Sequence, residues 1–170
     1  MDLAAFIRDV PDFPKPGIMF KDITPLLAAP HAFTHAIDAM TIWCRARKVD
    51  AIAAAEARGF LFAAPLAIRL GVPLIPLRKP GKLPYLTTKV DYDLEYGTNS
   101  LHMHVDAISA GQQVLLVDDL LATGGTMAAA AELIQKAGGQ VAGFLFAIEL
   151  SFLGGRARLG KHPVHSLLTY

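Results

Sequence analysis

The chain holds a single cysteine, Cys44, in 170 residues. It can form no internal disulfide and supplies no metal-binding spacing, so a disulfide-stapled scaffold and a zinc module are both excluded and a reducing compartment is the default. Cys44 reads as a buried apolar residue. Charge is also scarce: 18% of the residues are charged and the formal net charge is +1. The broad basic footprint of a nucleic-acid binder is therefore missing, and any electrostatics that matter must be local. No apolar run is long and clean enough to span a membrane. The most hydrophobic stretch, 51–77, carries Glu56, Arg58 and Arg69 and is broken by Gly59, Pro65, Gly71 and Pro73, a pattern of strand, helix and strand. The start of the chain has neither the basic residues nor the apolar core of a secretory signal, which points to the cytoplasm. Internal repeats, low-complexity tracts and domain linkers are absent.

What is abundant is apolar surface. Hydrophobic residues make up 53% of the chain, which excludes disorder and suits one domain, 1–170, with a substantial core. Strand, helix and strand recur from residue 51 onward, so the architecture to expect is α/β with a mainly parallel sheet. Buried strands are read at 51–55, 72–77, 114–117 and 140–149, a further strand at 100–108 and a last one at 165–170. Helices are read at 30–47, where Phe33, Ile37, Met40 and Trp43 share a face, and at 127–137, where Gly138 and Gly139 supply the stop. Residues 2–9 have the look of a helix start. His31 and His35 lie four apart, but no acidic or cysteine partners accompany them as a metal site would require.

The most informative stretch is Val-Leu-Leu-Val-Asp-Asp-Leu-Leu-Ala-Thr-Gly-Gly-Thr, from Val114 to Thr126. A buried strand runs into two carboxylates, Asp118 and Asp119, where it is expected to end. A small-residue loop follows, Ala122, Thr123, Gly124, Gly125 and Thr126, and then a helix whose N-terminus favours an anion. Carboxylates beside a phosphate cradle suit a ligand with a diol near a phosphate, such as ribose 5-phosphate. The plainer reading is a tight strand-to-helix turn with glycines relieving crowding. The string contains neither G-x-G-x-x-G nor G-K-[ST], so it is not a dinucleotide fingerprint or a Walker loop.

Glu56-Ala57-Arg58-Gly59-Phe60 repeats the arrangement: a strand delivers charge and a glycine to a turn before a helix. That helix should begin near residues 60–62, because Pro65 is tolerated in a first turn and costs about 3 kcal/mol farther in. Arg58 then sits by a second anion site, or is a surface arginine held by Glu56. Arg78, Lys79 and Lys82 follow a third strand around Pro80 and Gly81, either as a solvated loop or as anion-binding cations at a sheet's carboxyl edge. Residues 80–98 hold too many turn formers for a regular element and read as a lid. Within the lid, acids and aromatics alternate from Asp91 to Tyr96.

Together these motifs resemble the type I phosphoribosyltransferase family, in its adenine branch. The resemblance runs from Phe13 to Arg156 in five separated motifs. It implies the type I phosphoribosyltransferase fold: a mainly parallel central sheet flanked by helices, with a small base-covering hood from about 11–25 and 149–156. It implies transfer of phosphoribose from 5-phosphoribosyl 1-diphosphate (PRPP) to adenine, giving AMP and diphosphate, a purine-salvage reaction. Asp118 and Asp119 would hold the ribose, and Ala122, Thr123, Gly124, Gly125 and Thr126 the 5-phosphate. Arg58, with Arg78, Lys79 and Lys82, would bind the diphosphate. Glu95, in Tyr-Asp-Leu-Glu-Tyr-Gly, would exchange a proton with the purine near N7, which makes Glu95 and Arg58 the catalytic candidates. Met19, Phe20, Lys21 and Leu150 would line the adenine pocket, with Phe20 stacked on the base. Lys21 stands where many members have arginine, so a planar two-pronged contact is lost here. Mg²⁺ would be bound mainly through PRPP, with no direct protein ligand, and the partners would be small molecules and a second copy in a homodimer. A non-catalytic PRPP sensor is the alternative of a different class; it would need a partner-binding module, and the sequence shows none.

Overall fold

The computed structural model describes residues 1–93 and 98–170. The described chain forms two compact units, Met1–Ala39 and Met40–Tyr170. In the first, the expected helix at 2–9 is only a 3-10 turn, Leu3–Phe6, with Asp2 capping the Ala4 N–H at 3.0 Å. The chain then turns into a strand, β1 (Arg8–Pro11), paired antiparallel with β2 (Met19–Asp22). Proline density explains the preference: Pro11, Pro14 and Pro16 forbid a helix and leave an extended ribbon. A short helix α1 (Thr24–Ala28) follows, with Pro25 in its first turn. Helix α2 (Pro30–Arg45) then carries the chain into the second unit.

The second unit is built on five parallel strands. They are β3 (Ala51–Ala55), β4 (Leu74–Leu77), β7 (Gln113–Leu121), β8 (Gln140–Glu149) and β9 (Val164–Thr169), in the order β4-β3-β7-β8-β9. Helix α3 (Gly59–Leu70) links β3 to β4, and α4 (Gly125–Lys136) links β7 to β8. The first link runs toward one edge of the sheet and the second toward the other. Right-handed crossovers in opposite directions place their helices on opposite faces. The packing agrees: α4 shares a core with Ala51, Ala53 and Ala55 of β3 and with Val114 and Leu116 of β7. The intervening Ile52, Ala54, Leu115 and Val117 are as deeply buried and point the other way. A strand covered on both faces has no polar alternation, which is why these runs are legible as buried strands. The crossovers diverge between β3 and β7, and the carboxyl ends of those strands border the crevice where open α/β sheets bind ligands.

Two elements differ from the sequence expectation. Residues Thr87–Asp93, read as part of a lid, form a strand, β5, paired antiparallel with β6 (Thr98–His104). The ribbon forms because Val90, Leu101 and Met103 bury one of its faces against the α4 side of the core, and this outweighs the turn formers around it. Helix α3 begins at Gly59, so Pro65 stands in its second turn rather than its first. Leu61, whose carbonyl loses the Pro65 donor, lies on the solvent side and is 43% exposed. Cys44 is buried as expected, and burial pushes its thiol up to about 12.

Restoring the missing donor should stabilise the protein. Pro65→Ala is expected to raise the urea midpoint, by up to about 3 kcal/mol in unfolding free energy. A lowered midpoint would show that the ring's packing outweighs the lost hydrogen bond.

Candidate active site

Strand β7 does not end at Val117. It continues to Leu121, paired to β8 as far as Leu121–Glu149, whereas its pairing with β3 stops at Ala54–Val117. Asp118 and Asp119 therefore lie inside the strand, just where the neighbour on one side has left. That corrects the expectation that the strand ends before them. The longer β8 supplies the backbone partners that keep β7 extended, and the gap beyond β3 gives the carboxylates a crevice. Successive residues point to opposite faces, and the two aspartates meet different surroundings. Asp119, 5% exposed, accepts a hydrogen bond from Arg58 Nε at 2.5 Å. Asp118 Oδ1 accepts the Asp119 N–H at 2.9 Å and faces the start of α3. Burial, and then the adjacent Asp119 charge, hold the Asp118 carboxyl well above the usual carboxylate range.

That closeness depends on Gly59. A Cβ there would lie 2.8 Å from Asp118 Oδ1 and 3.1 Å from the Val117 carbonyl oxygen. Glycine lets the first turn of α3 touch the strand end. Arg58 is the residue before that turn, and no side chain caps the helix there. Its partner is Asp119 and not Glu56, so the plainer reading of Arg58 as held by Glu56 does not apply. Glu56 accepts from Arg78 Nε at 2.6 Å and from the Lys79 N–H at 3.2 Å. Burial opposes the Glu56 charge, but these bonds outweigh it and hold the carboxyl below its usual range. Arg78 also donates to the Lys82 carbonyl at 3.2 Å, and Lys79 and Lys82 are exposed.

Across the crevice, α4 starts at Gly125, two residues earlier than expected, with Gly124 at its cap in the left-handed region, φ 81°. No side chain caps this helix either, and its first turn holds no acid. Its free amide groups and dipole point at the cleft. Asp118, Ala122, Thr123, Gly124, Gly125 and Thr126 line that cleft, which has a volume of about 90 Å³. A second uncapped N-terminus, that of α3, lies beyond the carboxylates. There the Phe60 and Leu61 N–H groups already donate to the Ala57 and Arg58 carbonyls, at 3.3 and 3.1 Å, so the anion site of this crevice is the start of α4, beside the pair of hydrogen-bond acceptors.

Glu95 lies outside the described residues. Met19, Phe20 and Lys21 belong to the first unit: Met19 is exposed, Phe20 meets Phe13 edge-on at 5.0 Å, and Lys21 Nζ is 2.6 Å from Asp9 Oδ1. Leu150 belongs to the second unit and donates its N–H to Leu121 O at 2.9 Å. Three features escaped the sequence reading. Gly59 and Gly155 are needed for close backbone approach, and Glu149 is a buried partner for Arg156. The glycine pair at 154 and 155 looks in sequence like an element stop, and only the fold shows what it touches.

Comparison with known proteins is unambiguous in one respect. A sequence model of the phosphoribosyl transferase domain matches residues 25–155. The adenine phosphoribosyltransferase of Chloroflexus aurantiacus is 56% identical over 169 residues, covering 99% of this chain and 98% of its own length. The crystal structure of the adenine phosphoribosyltransferase from Thermoanaerobacter pseudethanolicus superposes with a TM-score of 0.97 at 53% identity, over 99% of this chain and 98% of that one. The Saccharomyces cerevisiae enzyme, solved with an imino-altritol bisphosphate and adenine, gives 0.94 at 40% identity, covering 98% and 97%.

The raised Asp118 pKa has a consequence for stability. As pH rises above the ordinary carboxylate range the unfolded chain ionises first, so the fold loses stability until Asp118 itself ionises. Asp118→Asn removes that loss while keeping an acceptor. Without ligand, its melting temperature is expected to exceed the parent's at about pH 8 and to match it near pH 3, below the unfolded-state pKa of about 3.9. An equal difference at both pH values would show that Asp118 carries no such penalty.

Proposed function

We infer the reaction from kinship and site together: the chain belongs to the phosphoribosyl transferase family, and its full-length relatives are adenine phosphoribosyltransferases. It transfers the 5-phosphoribosyl group of PRPP to N9 of adenine, forming AMP and diphosphate in purine salvage. The observation that carries this reading is the cleft lined by Asp118 and the uncapped start of α4, with Asp119 and Arg58 paired beside it. A PRPP molecule has the matching order of charge: phosphate, diol, diphosphate.

Our proposal for the residues follows that order. The amides and hydroxyls of Ala122, Thr123, Gly124, Gly125 and Thr126 take the 5-phosphate. Asp118 and Asp119 accept hydrogen bonds from the ribose hydroxyls, which replaces the Arg58 contact of Asp119, and the guanidinium turns to the diphosphate. Arg78, Lys79 and Lys82 add positive charge along the leaving group. As the C1–oxygen bond breaks, C1 becomes electron-poor and the diphosphate gains charge, so the site needs cations at the leaving group more than a protein nucleophile. Fixing both ends of the sugar positions C1 for attack by adenine N9. Glu95 exchanges a proton with the purine near N7, and Met19, Phe20, Lys21 and Leu150 contact the base.

Mg²⁺ is the cofactor we propose. Among the described residues no group of three or more His, Cys, Asp or Glu side chains could hold a metal ion. The nearby donors are the two aspartates, a set that fits an ion carried mainly by the diphosphate and ribose oxygens. Bound there, it would neutralise leaving-group charge. We further propose a homodimer and a cytoplasmic location. No helix among the described residues is long and apolar enough to cross a membrane.

The test is the initial rate of diphosphate release with PRPP and Mg²⁺ against adenine, guanine, hypoxanthine, xanthine, uracil and orotate. Release with adenine, yielding AMP, is expected; release with another base instead would discard the base assignment. Glu95→Gln is expected to slow turnover while leaving PRPP binding nearly intact. Unchanged turnover would remove Glu95 from the mechanism.

A further inference from the structure

One charged cluster lies beside the crevice and has no part in the chemistry above. Glu149, the last residue of β8, is 4% exposed yet ionised. Its two oxygens accept from Arg156 Nε and Nη2, each at 2.6 Å, and Ser166 of β9 donates its hydroxyl to Oε2 at 2.8 Å. The Arg156 fork is the main reason that the Glu149 carboxyl stays below its usual range. Arg156 also donates to the Val164 carbonyl at 3.2 Å. One guanidinium thus ties the 3-10 turn Gly155–Leu159 to the ends of two strands.

That turn approaches the loop at 122–126 most closely backbone to backbone. A Cβ on Gly155 would overlap the Ala122 carbonyl oxygen and lie 3.0 Å from Leu121 Cδ1. A Cβ on Gly124 would come within 2.5 Å of the Gly155 carbonyl oxygen and 3.3 Å of Arg158 Cβ. The nearest atom on each side is a backbone carbonyl oxygen, which has no rotamer with which to absorb a shift. Leu121 pairs with Glu149 in register, and the Leu150 N–H donates to Leu121 O at 2.9 Å, so the same strand end is braced from the sheet as well.

We propose that Glu149, Arg156 and Ser166 are positioning residues for the 5-phosphate loop: the bidentate pair seats Gly155 against Ala122 and Gly124 and so fixes where the loop's amides point. This rests on the reading of 122–126 as the phosphate site. Arg156 donates to Glu149 and to the Val164 carbonyl, and in this proposal acts only through the loop. A planar fork sets both distance and direction, whereas a lysine ammonium at the same place keeps the charge and loses the direction.

The test uses the full chain. Arg156→Ala would strand a buried carboxylate and endanger the fold, so the informative variants are Arg156→Lys and the neutral pair Glu149→Gln with Arg156→Gln. Far-UV circular dichroism and melting confirm that each is folded. KM is measured for PRPP and for adenine, with kcat, and beside them the double variant Thr123→Ala, Thr126→Ala. We expect the KM for PRPP to rise about tenfold in the Arg156 variants, with kcat and the KM for adenine nearly unchanged. A rise in the KM for adenine alone would show that the pair braces Leu150 and would overturn the proposal, as would no change in either KM. If the threonine variant weakens PRPP and the Arg156 variants do not, only this proposal fails. If the threonine variant has no effect on PRPP either, the phosphate-loop reading fails and takes the proposal with it.

Discussion

Two adjacent carboxylates on a strand that is otherwise apolar repel each other and resist burial; Arg58 gives Asp119 a partner at 2.5 Å, while Asp118 stays above the usual carboxylate range. The rest of the crevice follows from that contact. Arg58 can reach Asp119 only because β3 stops where β7 continues, and β7 can continue only because β8 is long enough to pair with it. Strand lengths thus place the charges. The helices then complete the site, since the crossovers leave the sheet in opposite directions and bring two N-termini to the same edge.

Glycine sets how closely these parts approach. At Gly59 it admits helix α3 to the Asp118 carboxylate, and at Gly124 and Gly155 it brings two backbones together without side chains between them. Such contacts are stiff, because carbonyl oxygens cannot change rotamer as side chains do. A loop held this way presents its amides in one orientation. The stiffness is useful where the ligand is a phosphate, whose recognition rests on several donors converging on one small group.

The sequence made the central sheet legible because its strands are buried on both faces and carry no polar alternation. The runs at 51–55, 114–117 and 140–149 needed no tertiary information beyond that. The motif at 114–126 was legible as strand, acids, glycine loop and helix, and the structure has those elements in that order. What stayed hidden depends on contacts between residues far apart in the chain. The extension of β7 past Asp119 is set by β8. The ribbon of β5 and β6 is stabilised by burying Val90 and Met103, which local propensity at 80–98 does not reveal. Arg58 stands two residues from Glu56 but pairs with Asp119, while Glu56 reaches Arg78, 22 residues on. Nearness in sequence misled because β3 and the start of α3 send those two side chains to different strands.

The same ion pairs explain how so much charge is kept in order before any substrate arrives. Asp119 is held by Arg58, Glu56 by Arg78 and the Lys79 N–H, and Glu149 by Arg156. Arg58 and Asp119 are the pair at which a sugar diphosphate would intervene, with hydroxyls offered to one and phosphate oxygens to the other. On the proposed reading, binding there would exchange partners and would not create a charge that must be newly desolvated, leaving little reorganisation for the chemical step. Glu149 and Arg156 differ in that the proposed mechanism replaces neither partner. A pair that stays closed throughout is suited to holding geometry, and a pair that opens is suited to receiving substrate.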